Sequence, residues 1–170
     1  SKIEGFGFIP VTCFSQALTT FIGQNLGAKE YDRTKKGALF GTICGIGIAE
    51  VIGIAVFFFS PYLIAAFGGD QKAIEYGIAE AHTIALFYCL LAFSHCMAAI
   101  QRGAGRSIVP MFVMMLVWCG VRVTYISIVI RIIPVINVIY WAYPLTWFIS
   151  SVIFLILFLK TDWIHGLEKQ

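Results

Sequence analysis

Long stretches of this chain carry no charge. Residues 38–49, 84–94, 107–121 and 132–159 contain no Asp, Glu, Lys, Arg or His. The apolar runs are continuous and do not alternate, which argues for helices and against a β-barrel. A membrane span needs about 20 predominantly apolar residues. The pattern predicts an all-α integral membrane protein with five transmembrane helices, near 5–22, 37–59, 74–101, 108–130 and 138–159.

Local signals shape each helix. Pro10 falls in the first turns of helix 1, where a missing N–H costs little. Thr12, Ser15, Gln16, Thr19 and Thr20 make helix 1 the most polar, with one polar face at three- to four-residue spacing. That face suits either hydrogen bonds between helices or the lining of a wet cavity. In helix 2, Gly37, Gly41, Gly45, Ala49 and Gly53 recur every fourth residue, a small-residue stripe that lets another helix approach closely. Pro61 is expected to end helix 2, with Gly68, Gly69 and Asp70 forming a turn. Pro110 falls in the first turn of helix 4, Pro134 in a tight turn, and Pro144 is expected to kink helix 5. Tyr140, Trp141, Tyr143 and Trp163 suit interfacial belts.

Composition sharpens the class. The chain is 59% hydrophobic and 12% charged, against about 25% charged in soluble domains. The net charge of +3 needs no nucleic-acid partner, because membrane orientation explains it. Cysteines 13, 44, 89, 96 and 119 all lie in apolar runs without a CxxC, so neither a disulfide nor zinc is expected. No HExxH, no GxSxG and no Asp, Glu or His cluster at catalytic spacing is present, and no enzymatic chemistry or cofactor is expected. The chain starts at Ser1 with neither an initiator Met nor a visible signal peptide, and it reads as part of a longer protein.

The loops carry the charge. Residues 23–36, 101–107 and the tail from Lys160 hold Lys29, Arg33, Lys35, Lys36, Arg102, Arg106, Lys160 and Lys169. The opposite side holds Lys2, Lys72 and Arg131. The imbalance places the first group, and with it the C-terminus, in the cytoplasm of a multi-pass cell-membrane protein. Residues 28–36 are expected to form a short interfacial helix, with its acids toward the start and its lysines at the end. The glycine loop at 101–107 lacks the Lys-Ser/Thr of a phosphate loop.

Residues 19–37, TTFIGQNLGAKEYDRTKKG, closely resemble the helix 8 to helix 9 junction of multidrug and toxic compound extrusion (MATE) transporters, through Gly23, Gln24, Asn25, Gly27 and Ala28. QRGAGRSIVP is similar to the family's Arg-Gly-x-Gly loop between helices 10 and 11, through Arg102, Gly103 and Gly105. A lone Arg122 in the next helix is a third match. The resemblance implies helices 8 to 12 of a twelve-helix, two-lobe transporter, a partial C-terminal lobe that lacks helix 7 and has the N-terminal lobe as its missing partner. It also implies export of small organic, often cationic, compounds against H⁺ or Na⁺. Sodium-coupled members place a carboxylate in helix 10; residues 87–94 hold none, and the nearby ionisable group is His95.

Intramembrane charges are costly and face the protein interior. Glu50 lies roughly 20 Å, and Arg122 roughly 21 Å, from the same membrane edge at 1.5 Å per residue. An ion pair, a shared polar pocket and a role in proton coupling are all open for them. His95 suits either a neutral, hydrogen-bonded histidine or a proton carrier. The candidate substrate and ion pathway therefore comprises Thr12, Gln16, Thr19, Glu50, His95 and Arg122. The sequence points to the C-terminal lobe of a secondary-active multidrug exporter working by alternating access. A related exporter or flippase of lipid-linked or polar molecules and a non-transporting membrane scaffold are the alternatives.

Overall fold

The computed structural model describes residues 2–66, 68, 70–133 and 135–164, with side chains from Phe8 onward. Among them the chain is helical throughout: α1 (Lys2–Gly27), α2 (Tyr31–Ala66), α3 (Gln71–Ala85), α4 (Tyr88–Gly103), α5 (Ile108–Met114), a π-helical turn (Met115–Val121), α6 (Arg122–Ile132) and α7 (Asn137–Lys160). The expected features at Gly69, Pro134 and Lys169 lie outside the described residues, as does the side chain of Lys2. Among the described residues three helices are long and apolar enough to cross a membrane: α2, the run Ile108–Ile132, and α7. The bent pair α3 and α4 makes a fourth if it is one span.

α4 is the hub. Its residues from Ser94 to Gln101 are all buried, and it packs against α1, α2 and α7. One core cluster, with Leu18, Ile22, Ala38, Ile100 and Phe154, joins the end of α1 to the start of α2 and the ends of α4 and α7. A second, with Val11, Ala49, Ile84, Leu91 and Trp147, fills the other half. α6 has no buried residue and lies at the rim.

The stripe on α2 faces inward. A Cβ at Gly37 would collide with the Phe21 ring, and one at Gly41 would meet Leu18 at 2.7 Å. One at Gly45 would meet the Cys96 sulfur at 2.7 Å, and one at Gly53 the Ala85 carbonyl oxygen. The four glycines thus admit α1 first, then α4 and α3.

Several boundaries differ from the sequence expectation. Helix 1 does not stop at residue 22; α1 runs on through Gly23, Gln24 and Asn25 to Gly27. It ends in a Schellman cap: Glu30 N–H donates to the Asn25 carbonyl at 2.9 Å and Lys29 N–H to Leu26 at 3.0 Å, with Lys29 left-handed at φ 59°. The interfacial helix expected at 28–36 does not form separately. Its residues from Tyr31 are the first turns of α2, whose 36 residues span roughly 54 Å, more than the bilayer core of about 30 Å.

Pro61 does not end α2. A proline removes the donor to the carbonyl four residues back. The Ser60 hydroxyl donates to that carbonyl, Phe57, at 3.3 Å, so the helix continues to Ala66. Helix 3 is not continuous over 74–101. It breaks at Leu86 and Phe87 with a 56° bend, for a reason that lies on α2. In an unbroken helix the Cys89 N–H would donate to the Ala85 carbonyl. Instead it donates to the Glu50 carboxylate at 3.2 Å. One turn further along α2, Gly53 leaves room for the Ala85 carbonyl itself.

Candidate functional site

At one end of the lobe the motif residues meet. A Cβ on Gly103 would lie 2.7 Å from the Thr19 carbonyl oxygen and from Ile22, and one on Gly23 would be 3.5 Å from the Gly103 carbonyl. The two glycine-bearing segments are therefore one close helix crossing, α1 on α4. α4 ends in the same cap as α1. Arg106 N–H donates to the Gln101 carbonyl at 2.9 Å and Gly105 N–H to Arg102 at 3.0 Å, with Gly105 at φ +78°. The Arg106 guanidinium then reaches the Asp162 carbonyl at 3.1 Å, tying this loop to the segment after α7. The basic loops 28–36, 101–107 and the start of the tail thus share one end of the molecule.

Deeper in the lobe a cavity of about 160 Å³ lies between α1, α3, α4, the π-helical turn, α6 and α7. Its walls include Phe8, Tyr88, Trp118, Tyr143 and Trp147, with Arg122 among them. Arg122 donates to the Thr146 hydroxyl at 2.9 Å, and its guanidinium carbon lies 4.3 Å from the Tyr143 ring centroid and 5.9 Å from that of Trp118. Both rings offer the electron-rich face that attracts a cation. The π-helical turn ends immediately before Arg122; such turns are frequent at functional sites.

Arg122 and Glu50 engage different parts of the lobe. Arg122 faces α7; Glu50, half-buried, engages the α4 backbone. The hydrogen bond from Arg122 goes to Thr146 on α7, and the Glu50 carboxylate accepts from Cys89 on α4. Glu50 brings a carboxylate to the 87–94 region, which has none of its own. His95 is buried between two cavity-wall rings, with centroids 5.1 Å from Phe8 and 5.5 Å from Trp118, both edge-on. Its Nε2 has no hydrogen-bond partner among the described residues.

The polar face of α1 is satisfied within its own helix. The Thr12 hydroxyl donates to the Ile9 carbonyl at 2.8 Å, Ser15 to Thr12 at 2.9 Å and Thr19 to Ser15 at 3.0 Å. Gln16 is exposed. None of Thr12, Gln16 and Thr19 lines the cavity, whose α1 contribution is Phe8. Interhelical hydroxyl bonding occurs elsewhere: Ser94 on α4 lies 2.9 Å from Ser150 and 3.0 Å from Ser151 on α7, and the Trp118 indole N–H donates to Ser150 at 3.3 Å.

Sequence reasoning missed the aromatic walls. Tyr140 is buried and Tyr143 packs on Arg122, while Trp141 is 52% exposed. The available signal was Tyr143, Thr146 and Trp147, one helical face at three- and four-residue spacing.

A family model described as MatE matches residues 1–128. The probable multidrug resistance protein NorM of Thermotoga maritima is 29% identical over 112 residues, covering 66% of this chain and 24% of that protein. A solved structure described as the MATE transporter ClbM in complex with Rb⁺ aligns with a TM-score of 0.86 at 17% identity, over 98% of this chain and 40% of that one. The chain spans about a quarter of the length of that curated relative. With the family model matched from the first residue through α5 and most of α6, and the transporter fold reproduced across nearly every helix, the chain belongs to the MatE family, whose members are multi-pass membrane transporters.

Proposed function

We propose that this chain forms helices 8 to 12, five of the six helices of the C-terminal lobe, of a secondary-active exporter. The exporter would move small organic, often cationic, compounds against H⁺ or Na⁺ by alternating access. α1 is the fifth span in this reading: its 26 residues reach roughly 39 Å. The basic end lies in the cytoplasm, the C-terminus with it, and helix 7 and the first lobe are supplied by sequence beyond this chain.

One observation carries the reading: an intramembrane carboxylate, Glu50, holds a broken helix. Intramembrane acids mark ion pathways, and discontinuous helices near the midplane are how secondary transporters build ion sites. A cation or proton taken up by Glu50 neutralises the carboxylate and removes the charge-assisted part of its bond to Cys89. That loss links ion binding to the bend between α3 and α4, a candidate two-state element. His95 and Arg122 are further interior ionisable residues, while Thr12, Gln16 and Thr19 remain on the α1 face that the other lobe would meet.

The test uses the full-length protein in inverted vesicles. Dye efflux is driven in turn by a proton gradient and a sodium gradient. Glu50→Gln is expected to express and still bind dye while losing gradient-driven efflux. Full efflux in Glu50→Gln under both gradients would reject this assignment.

A further inference from the structure

A groove of about 460 Å³ runs along the outside of the lobe between α2, α4 and α7. Its walls are apolar: Ala38 and Leu39 on α2, Phe93 and Met97 on α4, Leu155 and Phe158 on α7. Thr42 also borders it, but its hydroxyl donates to the Ala38 carbonyl at 2.8 Å, so that donor is taken within α2. At one end stand Lys35, Ile100 and Trp163. Lys35 is in the second turn of α2, Ile100 in the last turn of α4, and Trp163 just beyond α7. This is the end that carries the basic loops. Thr42 and Phe93 lie roughly 10 Å deeper along their helices.

We infer that this groove holds one acyl chain of an anionic phospholipid, with the lipid phosphate at Lys35. Three features fit that occupant together. The walls offer an acyl chain apolar contact and no hydrogen-bonding demand along their length. Among the described residues the one charged lining residue is a cation, placed where the chain would join its headgroup. Trp163 is buried beside it, at the depth where indoles favour the headgroup boundary. Basic pockets between membrane helices on the cytoplasmic side recognise anionic headgroups, and with Arg33 and Lys36 set against Glu30 and Asp32 the same stretch remains net positive.

The inference needs the membrane fold but not the transport reading, so the two fail separately. The full-length protein, purified in mild detergent, is titrated with dioleoylphosphatidylglycerol and with dioleoylphosphatidylcholine. Bound lipid is counted by native mass spectrometry. The phosphatidylglycerol is expected to be retained in preference. Lys35→Gln should weaken that retention about fivefold, the effect of one basic residue at a membrane surface. Leu39→Trp fills the groove from a position 67% exposed and should reduce retention of both lipids. Arg131→Gln, at the opposite end, should change nothing. Equal retention of the two lipids, or unchanged retention in Lys35→Gln or Leu39→Trp, would overturn the inference. So would a loss in Arg131→Gln matching that in Lys35→Gln. No bound lipid in the parent protein would mean that other parts of the protein cover the groove, which also overturns it.

Discussion

The Glu50 carboxylate accepts a hydrogen bond of 3.2 Å from the backbone N–H of Cys89, 39 residues further along the chain and on a different helix. Cys89 is the second residue of α4, so Glu50 occupies the place of a helix cap. A half-buried N–H left without an acceptor costs about 1–3 kcal/mol. Glu50→Ala should therefore destabilise the protein by that amount, read as a lower thermal unfolding midpoint in detergent. Glu50→Gln keeps an acceptor oxygen but loses the charge-assisted part of the bond, so it should lose roughly half as much. An Ala variant as stable as the parent would show that the cap contributes nothing.

The same helix break depends on Gly53. A Cβ there would fall well inside contact distance of the Ala85 carbonyl oxygen, and backbone cannot swing aside as a side-chain tip can. Gly53→Ala should cost at least about 1–3 kcal/mol, the usual range for overpacking. Gly47, on the same helix, has nothing within 4 Å of its would-be Cβ, so Gly47→Ala should express and melt like the parent. Equal behaviour of the two variants would mean that α2 does not press on the break.

These two residues also show where sequence reading reached and where it stopped. The small-residue stripe, with Gly53 in it, was legible because a four-residue repeat needs no partner to be seen. The motif glycines Gly23 and Gly103 were legible as motifs, but not as one helix crossing. The break at Leu86 and Phe87 was invisible, since residues 84–94 contain neither Pro nor Gly nor charge. Its causes sit on α2 and act only after the helices pack. Pro61 misled for the opposite reason: the residue that keeps its helix whole is its neighbour Ser60. The π-helical turn before Arg122 left no mark in the sequence at all. Thr12 and Thr19 read as an available polar face, yet their hydroxyls close onto their own helix.

The two Schellman caps make a paired prediction. Lys29 and Gly105 occupy equivalent left-handed positions, at φ 59° and +78°. A side chain in that region costs roughly 1–2 kcal/mol. Lys29→Gly should therefore stabilise the protein, by about 1 kcal/mol after the added freedom of the unfolded chain. Gly105→Ala should destabilise it by a similar amount. Both are read as unfolding midpoints in detergent. A lower midpoint in Lys29→Gly would show that the lysine side chain matters more than the backbone strain.

Orientation is tested at the turn before α3. The Asp70 carboxylate accepts from the Ala73 N–H at 2.9 Å and caps α3, so a cysteine there would disturb the helix it reports on. Lys72 is exposed in the first turn of α3 and is the cleaner probe. Lys72→Cys should react with a membrane-impermeant maleimide from outside intact cells, and Lys35→Cys only after permeabilisation, with the native cysteines replaced. The reverse pattern would invert the proposed topology.

Arg122 offers the sharpest separation of roles. Its guanidinium lies over Tyr143 with 4.3 Å between the guanidinium carbon and the ring centroid, and it donates to Thr146 on the same helix. A cation over an aromatic face contributes about 0.5–2 kcal/mol, more as water is excluded. The contribution is isolated by a double-mutant cycle: Arg122→Met, Tyr143→Leu and both together. Their effects on stability should fall short of additivity by that amount, because the second change removes nothing once the first is made. A parallel cycle pairs Arg122→Met with Glu50→Gln. Glu50 binds α4 and Arg122 binds α7, so this coupling should be the smaller of the two. If the ranking reversed, the two intramembrane charges would sense each other more than their neighbours, and Glu50 would act as a counter-ion before it acts as a cap. If the expected ranking holds, a loss of efflux in Glu50→Gln of the full-length protein cannot be blamed on an orphaned arginine. The loss would then belong to the carboxylate and to the broken helix it holds.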